Sequence, residues 1–289
     1  MSSSDSRSPD DHTTQPLEPP ASALHHVGVI AAARRDIGRV REINQDQVFT
    51  LTASMPRAEQ HVTMGLYLVA DGMGGHEGGE VASSMAVAEI VRHVLAELLL
   101  PALSGEMNAS MQAIVAAAIE HANHMIWSHA RALGSDMGTT CTVALLLGHS
   151  LSIGHVGDTR AYLIGNDGIR LLTRDHSAVG RLIELGQLDE AEAREHPLRS
   201  QLYRTLGQTA HVAVDVVYER ITEATHLLLV SDGLWGLVDD AVMCEIVQQH
   251  EPAVACAELI ARANAAGGED NISAVVVVLP PPLAEEHDE

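Results

Sequence analysis

The sequence predicts an α+β fold arranged as a layered sandwich of sheets and helices. Hydrophobic residues make up 46% of the 289 residues, which is enough for a packed core. Apolar runs of strand length follow one another and are joined by turn signals, whereas the helical patterns arrive in pairs. A regular alternation of single strands and helices would instead predict a parallel α/β sheet, so the pairing favours layers.

The predicted strands are short apolar runs bounded by Gly, Asp and Pro. The sequence GNDG at 165–168 is a tight-turn signal, and it predicts a hairpin that joins RAYLI to IRLLT. We expect strands at 27–33, 61–70, 140–148, 151–157, 160–165, 211–218, 225–231 and 272–279.

Two long helical patterns stand between the early strands, and a shorter pair stands near the end of the chain. The first runs from about residue 80 to 100 and should end at Pro101, because proline cannot continue a helix. The second runs from about residue 108 to 133 and should end at Gly134. The shorter pair is predicted at 239–250 and 252–266.

We expect one folded domain at residues 25–280 between two tails. Residues 1–24 are acidic and rich in Pro and Ser, so they have little to bury and should be disordered. Residues 281–289 form a short acidic tail. The start lacks the basic and apolar stretches of a signal peptide, and no apolar run approaches the roughly 20 residues that cross a bilayer. A cytoplasmic protein without a membrane partner is the expectation.

Composition also limits the partners. The formal net charge is −22, which argues against nucleic acid as a ligand because phosphate backbones need dense Lys and Arg. Aromatic residues are only 2%, so a stacking platform for single strands is not expected. Cys141, Cys244 and Cys256 are too few and too scattered for a disulfide framework or a thiolate zinc site, and we expect them to be buried thiols.

The strongest chemical signal is an apolar strand that ends in Asp-Gly. It occurs at Asp71-Gly72 and again at Asp232-Gly233. Asp158 follows a third apolar strand, and Asp270 stands just before another. One Asp-Gly alone is usually only a turn. Several of them at the ends of apolar strands favour a cluster of carboxylates, and such a cluster needs bound cations because buried like charges otherwise protonate. Oxygen ligands favour Mg²⁺ or Mn²⁺ over zinc.

Eight motifs follow one another along the chain. They are RDIGRVREINQD (35–46), ADGMGGHEGGEVAS (70–83), DMGTTCTVALL (136–146), VGDTRAYL (156–163), LTRDHS (172–177), HPLRSQLYRTLG (196–207), SDGLWG (231–236) and GGEDNIS (267–273). In this order, over about residues 27–279, the chain resembles the bacterial form of the metal-dependent type-2C serine/threonine protein phosphatases. The resemblance implies a four-layer α-β-β-α sandwich, with two central and mainly antiparallel sheets flanked by helix pairs.

The resemblance also implies a set of metal ligands. Asp71 and the carbonyl of Gly72 would hold a pair of Mn²⁺ or Mg²⁺ ions, and Asp232 and Asp270 would complete the shell of the first ion. Asp136 matches the position that, with Asp232, holds a third and weaker metal in bacterial relatives.

Further roles follow from the same resemblance. Arg41 matches the arginine that binds substrate phosphate, a task that suits a guanidinium. Asp46 would lie close to the metals through water or hydrogen bonds, and Asp158 would stand behind them or tune the third ion. A water bridging two cations would attack the phosphorus in line. The implied substrates are phosphoserine and phosphothreonine on proteins, with a partner Ser/Thr kinase or its targets.

The sequence departs from the family pattern at three positions. Gln45 replaces a frequent Glu, so we expect the second metal to bind more weakly. Gly236 stands where an acid is frequent, and Met73 stands where some relatives have His, which leaves His76 as a weak candidate for the general acid. A second hypothesis is therefore a catalytically weak or inactive relative that binds phosphoproteins or a regulatory partner.

The polar stretch 174–207 fits either a segment beside the active site that contacts protein substrate or a solvated helix pair. Trp127 and Trp235 are expected in the core. A nucleotide-hydrolysing P-loop is disfavoured because no Gly-rich loop with Gly-Lys-Ser/Thr occurs.

Overall fold

The computed structural model describes residues 28–57, 60–74, 78–104, 109–189, 192 and 196–281. The predicted tail at 1–24 lies outside these residues, as does nearly all of the predicted tail at 281–289. The domain boundaries therefore stay predictions.

Two antiparallel sheets form the centre of the molecule. The first contains, in spatial order, β1 (Ile30–Asp36), β11 (Ile272–Val278), β10 (Ala224–Val230), β7 (Arg160–Gly165) and β8 (Gly168–Leu171). The second contains β2 (Asp46–Arg57), β3 (Gln60–Met73), β5 (Cys141–Leu147), β6 (Ser150–Val156) and β9 (Asp215–Arg220), with the short β4 (Gly138–Thr139) paired to the end of β3.

Helices cover the outer faces of the two sheets. The described helices are α1 (Gly78–Val94), α2 (Leu100–Leu103), α3 (Met111–Leu133), α4 (Ala178–Glu184), α5 (Asp232–Trp235), α6 (Asp240–Gln249) and α7 (Pro252–Ala265). α1 and α3 pack on the second sheet, and α6 and α7 pack on the first. The predicted four-layer α-β-β-α sandwich is confirmed.

Three apolar clusters explain why the strands are almost continuously hydrophobic. Leu227 and Leu229 of β10 point into the cluster between the sheets, while Leu228 and Val230 point into the cluster beneath α6 and α7. A strand buried on both faces has no polar side, so its sequence is an apolar run rather than an alternation. Sandwiched strands of this kind fix the positions of the polar residues at their ends.

The prediction that Pro101 ends the first long helix is wrong. α1 continues into a π-helical turn at Leu95–Leu99, and Pro101 lies in the first turn of α2. A proline has no N–H to donate and collides with the carbonyl four residues earlier in a regular α-helix. The wider π-turn relieves that conflict, so the chain stays helical past the proline.

The strand predictions miss one long strand and misplace the start of another. β2 at Asp46–Arg57 was not predicted, because Gln47, Thr50, Thr52 and Ser54 interrupt its apolar pattern and most of its described side chains are only partly buried. The strand expected at 211–218 begins only at Asp215. The end of α3 before Gly134 and the positions of α6 and α7 agree with prediction.

The three cysteines are free and buried, as expected. In the described ranges, no helix has the length and apolarity needed to cross a bilayer.

Candidate active site

Four aspartates meet where the ends of the two sheets come together. Asp46 begins β2 and stands opposite Asp71, near the end of β3. Asp232 lies two residues after the end of β10, and Asp270 lies two residues before the start of β11. Because β10 and β11 are antiparallel neighbours, the end of one and the start of the other share an edge. The fold therefore brings these strand-end carboxylates together, as expected from the sequence.

Asp46 is the deepest of these carboxylates. Its Oδ2 accepts hydrogen bonds from Ser231 Oγ at 2.9 Å and from Ser273 Oγ at 2.7 Å. Burial raises the pKa of Asp46 to about 7; the two hydroxyls oppose the rise, and the charges of Asp232 and Asp270 add to it. Its Oδ1 is buried without a hydrogen-bond partner in the structure. One oxygen of Asp46 is therefore fixed by hydroxyls, and the other is available.

Asp71, Asp158 and Asp232 repel one another across a short space. Burial first, and then the charge of Asp46, raises the pKa of Asp71 well above its usual range. Burial and the charge of Asp232 do the same to the pKa of Asp158. Burial and the charge of Asp270 raise the pKa of Asp232, and a hydrogen bond with Asp71 opposes the rise. A site of this kind keeps its carboxylates ionised only when cations offset their charge.

The turn at Asp71-Gly72 is held from both sides. The carbonyl of Asp71 accepts a hydrogen bond from the Thr140 N–H at 2.8 Å, and the Gly72 N–H donates to the carbonyl of Gln45 at 3.2 Å. A Cβ on Gly72 would overlap the carbonyl oxygen of Gly79 in the first turn of α1. Glycine is therefore required here by the close approach of two backbones.

Asp136 lies farther out than the other predicted ligands. It precedes β4, whose Gly138 and Thr139 pair with Met73 and Gly72, so its loop reaches the same edge. Its carbonyl accepts a hydrogen bond from Gln208 Nε2 at 2.9 Å, and the residue is exposed. The structure brings the backbone of Asp136 to the site, and the role of its carboxylate stays a prediction.

Arg41 stands at the mouth of the site on the loop between β1 and β2. Its Nη2 lies 2.6 Å from Asp270 Oδ2, and its side chain is 51% exposed. The hydrogen bond to Asp270 raises the pKa of Arg41. Asn271 holds the same loop: its Nδ2 donates to the carbonyls of Ile37 and Ile43, each at 3.0 Å, and its Oδ1 accepts from the Gln45 N–H at 2.8 Å.

These residues suit hard divalent cations. The donors are carboxylate oxygens and a backbone carbonyl, the ligand set that Mg²⁺ and Mn²⁺ prefer. Oδ1 of Asp46 and Oδ1 of Asp232 are both buried with no hydrogen-bond partner in the structure, which leaves them free for a cation. Among the described residues, no group of three or more acidic, His or Cys side chains is arranged as it stands to hold a metal ion, and Asp270 is instead paired with Arg41.

A cleft of about 390 Å³ opens beside the aspartates. Arg41, Asp232 and Asp270 belong both to the candidate site and to the lining of this cleft. On its floor, Arg160 pairs with Asp175, with Nη2 and Oδ2 2.7 Å apart, and the Arg160 guanidinium lies 3.6 Å from the ring centre of Trp235. Its remaining wall is lined by Val179, Ile183, Arg199, Ser200, Leu237 and Glu269.

The structure revises several smaller expectations. Trp235 and Trp127 are partly buried rather than core residues, and Trp235 Nε1 donates to the carbonyl of Asp158 at 2.9 Å. Of the helix pair considered for 174–207, α4 is described and Glu192 is helical, but residues 190–191 and 193–195 lie outside the described residues, so the pair stays a prediction. His76 lies outside those residues.

Sequence reasoning missed the residues that support the aspartates. Ser231, Ser273 and Asn271 were not singled out, although each stands within three residues of a predicted ligand and that proximity was an available signal. The pairing of Arg160 with Asp175 had no local signal, because the two are separated by 15 positions.

A two-sheet sandwich with clustered aspartates and an exposed arginine at one edge defines a metal-dependent phosphoester hydrolase. The comparisons with known proteins agree. The family model described as "Protein phosphatase 2C" matches residues 39–259. The "Serine/threonine phosphatase stp" of Listeria innocua is 34% identical over 253 residues, covering 86% of this chain and 94% of that protein.

Solved structures give the same result. The crystal structure of the Mycobacterium tuberculosis serine/threonine phosphatase PstP/Ppp superposes with a TM-score of 0.74 at 32% identity, covering 87% of this chain and 98% of that one. The catalytic domain of PstP in complex with two manganese ions gives 0.71 at 30% identity, covering 86% and 97%. The chain therefore belongs to the protein phosphatase 2C family and is a metal-dependent protein serine/threonine phosphatase.

Proposed function

We propose that this protein removes phosphate from phosphoserine and phosphothreonine in proteins that a partner Ser/Thr kinase has phosphorylated, or from that kinase itself, in the cytoplasm. The observation that carries the proposal is the meeting of Asp46, Asp71, Asp232 and Asp270 beside an exposed arginine. The family relationship supports the reaction class, and the opposing kinase is an inference from it.

Asp71, the Gly72 carbonyl, Asp232 and Asp270 would hold two Mn²⁺ or Mg²⁺ ions, and Asp136 would contribute to a third. When bound, such ions supply an activated water and neutralise charge on the phosphoryl group. The ion pair between Arg41 and Asp270 is half exposed, so it contributes little stability and can exchange. The Arg41 guanidinium can then reorient toward the substrate phosphate and donate two parallel hydrogen bonds to two of its oxygens.

Asp46 acts from beneath the site. Its Oδ2 is fixed by Ser231 and Ser273, which come from the ends of β10 and β11, so its position follows the two strands that also carry Asp232 and Asp270. Its free Oδ1 is placed to orient a water or accept a proton at the centre of the cluster. The hydroxyl bonds therefore fix the orientation of the group and favour its ionised form.

The cleft beside the aspartates would hold the peptide around the phosphorylated residue. It shares three residues with the phosphate site, and its apolar wall of Val179, Ile183 and Leu237 offers surface for flanking side chains. At its mouth Arg199 and Glu269 approach to 3.4 Å, and both are exposed, so this pair offers little resistance to an incoming chain.

The experiment is hydrolysis of an aryl phosphate and of a phosphothreonine peptide with and without Mn²⁺ or Mg²⁺. We expect turnover only with metal, and we expect Asp232→Asn to abolish it because one negative oxygen is lost from the cluster. Glu219→Gln is a matched control: Glu219 lies on β9, paired with Arg170 and away from the site. Full turnover in excess chelator would refute the mechanism.

A second candidate function is binding of phosphoproteins or a regulatory partner without efficient catalysis. Gln45 and Gly236 favour it, because each replaces an acid that the family often has. The carboxamide of Gln45 packs on the first turn of α1, where Gly79 has no room for a side chain. Calorimetric titration with Mn²⁺ separates the two functions: an absence of binding at millimolar concentration would favour the binder.

A further inference from the structure

One histidine ties the 174–207 segment to the strand end beside the active site. The imidazole of His176 is 2% exposed, and its Nδ1 accepts a hydrogen bond from the Gly157 N–H at 3.0 Å. In return, the His176 N–H donates to the carbonyl of Gly157 at 2.7 Å. Two hydrogen bonds in opposite directions thus fix these residues to each other.

The two ring nitrogens of His176 have different partners. Because Nδ1 accepts from the Gly157 N–H, a neutral ring has its proton on Nε2. Nε2 lies 3.2 Å from Asp215 Oδ2 and 3.0 Å from Arg204 Nη1, and Arg204 Nη1 donates to Asp215 Oδ1 at 2.6 Å. His176 and Arg204 therefore meet at one carboxylate, that of Asp215 at the start of β9.

The backbone of the same residue reaches the far end of the segment. The carbonyl of His176 accepts from the Tyr203 N–H at 2.9 Å, and Ser177 forms a β-bridge with Leu202. The beginning and end of the segment that borders the cleft therefore meet at His176.

Gly157, which His176 contacts, lies at the corner of the chain just before Asp158. Gly157 has φ +113°, and a Cβ there would overlap the side chain of Thr140, so the corner cannot be held by a side chain of its own. Asp158 is next in sequence and faces Asp232, and its carbonyl accepts from Trp235 of the cleft. A shift of Gly157 would move both the carboxylate cluster and the cleft wall.

We propose that His176 is a positioning residue with two separable tasks. Nδ1 fixes the Gly157–Asp158 corner and so serves turnover, and Nε2 fixes the two described ends of the 174–207 segment, at His176 and Arg204, through Asp215 and so serves peptide binding. The proposal deepens the proposed function and rests on it, since the second task concerns a phosphopeptide substrate.

Two substitutions separate the tasks. His176→Asn places an amide oxygen where Nδ1 stands and removes the group that faces Asp215; His176→Gln reaches toward Asp215 and removes the acceptor for Gly157. For His176→Asn we expect kcat on aryl phosphate within about threefold of wild type and KM for a phosphothreonine peptide raised about fivefold or more. For His176→Gln we expect kcat on both substrates to fall about tenfold or more, corresponding to about 1.4 kcal/mol.

Hydrogen exchange gives a measurement that needs neither metal nor turnover. In His176→Gln the Gly157 amide loses its acceptor, so amide exchange in the 151–158 region should accelerate, while His176→Asn should match wild type. Asp215→Asn, at a half-exposed carboxylate, should reproduce the raised peptide KM of His176→Asn without changing Gly157 exchange.

The proposal is overturned if the two variants lose activity equally and in proportion to their loss of melting temperature, or if His176→Gln is the more active one. Unchanged Gly157 exchange in His176→Gln overturns the first task. A wild-type enzyme that hydrolyses no phosphopeptide would refute the proposed function instead, and the exchange measurement would still test the Gly157 contact.

Discussion

Replacing Asn271 with alanine should release the loop that carries Arg41. Asn271 is almost fully buried, and its carboxamide makes three hydrogen bonds to backbone groups at Ile37, Ile43 and Gln45. Asn271→Ala therefore tests whether the hydrogen bonds from Asn271 to this loop position Arg41 to bind phosphate.

The structure sets the size of the stability effect. Ile37 and Ile43 are 38% and 41% exposed, so their carbonyls can turn to water when the amide is lost. The Gln45 N–H is less accessible and is left without its acceptor, and an unsatisfied buried donor costs about 1–3 kcal/mol. We expect Asn271→Ala to lower the free energy of unfolding by about 2–3 kcal/mol.

The assay for function is a double-mutant cycle with Arg41→Ala. Asn271→Ala should lower kcat/KM for aryl phosphate about tenfold at saturating Mn²⁺, equivalent to about 1.4 kcal/mol. In the Arg41→Ala background the further loss should be small, because the group being positioned is already gone. Asn123→Ala is the matched control: Asn123 is equally buried and bonds the backbone at Gly207 and Thr209, away from Arg41.

Two outcomes would refute this reasoning. Losses that simply add in the double variant would show that Asn271 does not act through Arg41. An Asn123→Ala variant with the same loss of kcat/KM at equal loss of stability would show that general destabilisation explains the effect.

Two further predictions concern backbone packing and pH. Gly72→Ala should lower both Mn²⁺ affinity and melting temperature, because its methyl group would overlap the Gly79 carbonyl; a variant that binds Mn²⁺ as wild type does would contradict the packing argument. Burial, and next the neighbouring His176, lowers the pKa of His155 to about 3 in the folded protein, from about 6.5 in the unfolded chain. Between about pH 3 and about pH 6.5 the unfolded chain therefore binds a proton on His155 that the folded protein does not bind. This contribution to stability is present above about pH 6.5 and is lost as the pH falls toward 3, by up to about 1.4 kcal/mol per pH unit. Urea unfolding from pH 7 to pH 5 should therefore show a smaller loss of unfolding free energy in His155→Gln than in wild type.

Much of the fold was predictable because both sheets are buried on both faces. The runs at 227–230 and 274–279 are apolar at every position for that reason, and the strand ends beside them mark Asp232 and Asp270 in the sequence itself. β2 escaped prediction because its exposed positions interrupt the apolar pattern, and the helix past Pro101 escaped because a π-turn is decided by tertiary packing.

The candidate ligands could be found from the strand ends, whereas their support could not. The contact between Ser273 and Asp46 spans 227 positions, and the Asn271 bonds to the Arg41 loop span 226–234. No local sequence pattern indicates contacts between residues that are so far apart along the chain. The position of the Asp136 carboxylate and the effect of Gln45 also depend on side-chain geometry, so both stay predictions.

The central claim is that the aspartates at the sheet edge bind divalent cations together. Calorimetric titration of the whole chain with Mn²⁺ tests it most directly, with Asp71→Asn beside the wild type. We predict at least two bound Mn²⁺ per wild-type chain and loss of the tight binding in the variant. A wild-type chain that takes up no Mn²⁺ at millimolar concentration, or a variant that binds as well as wild type, would contradict the account.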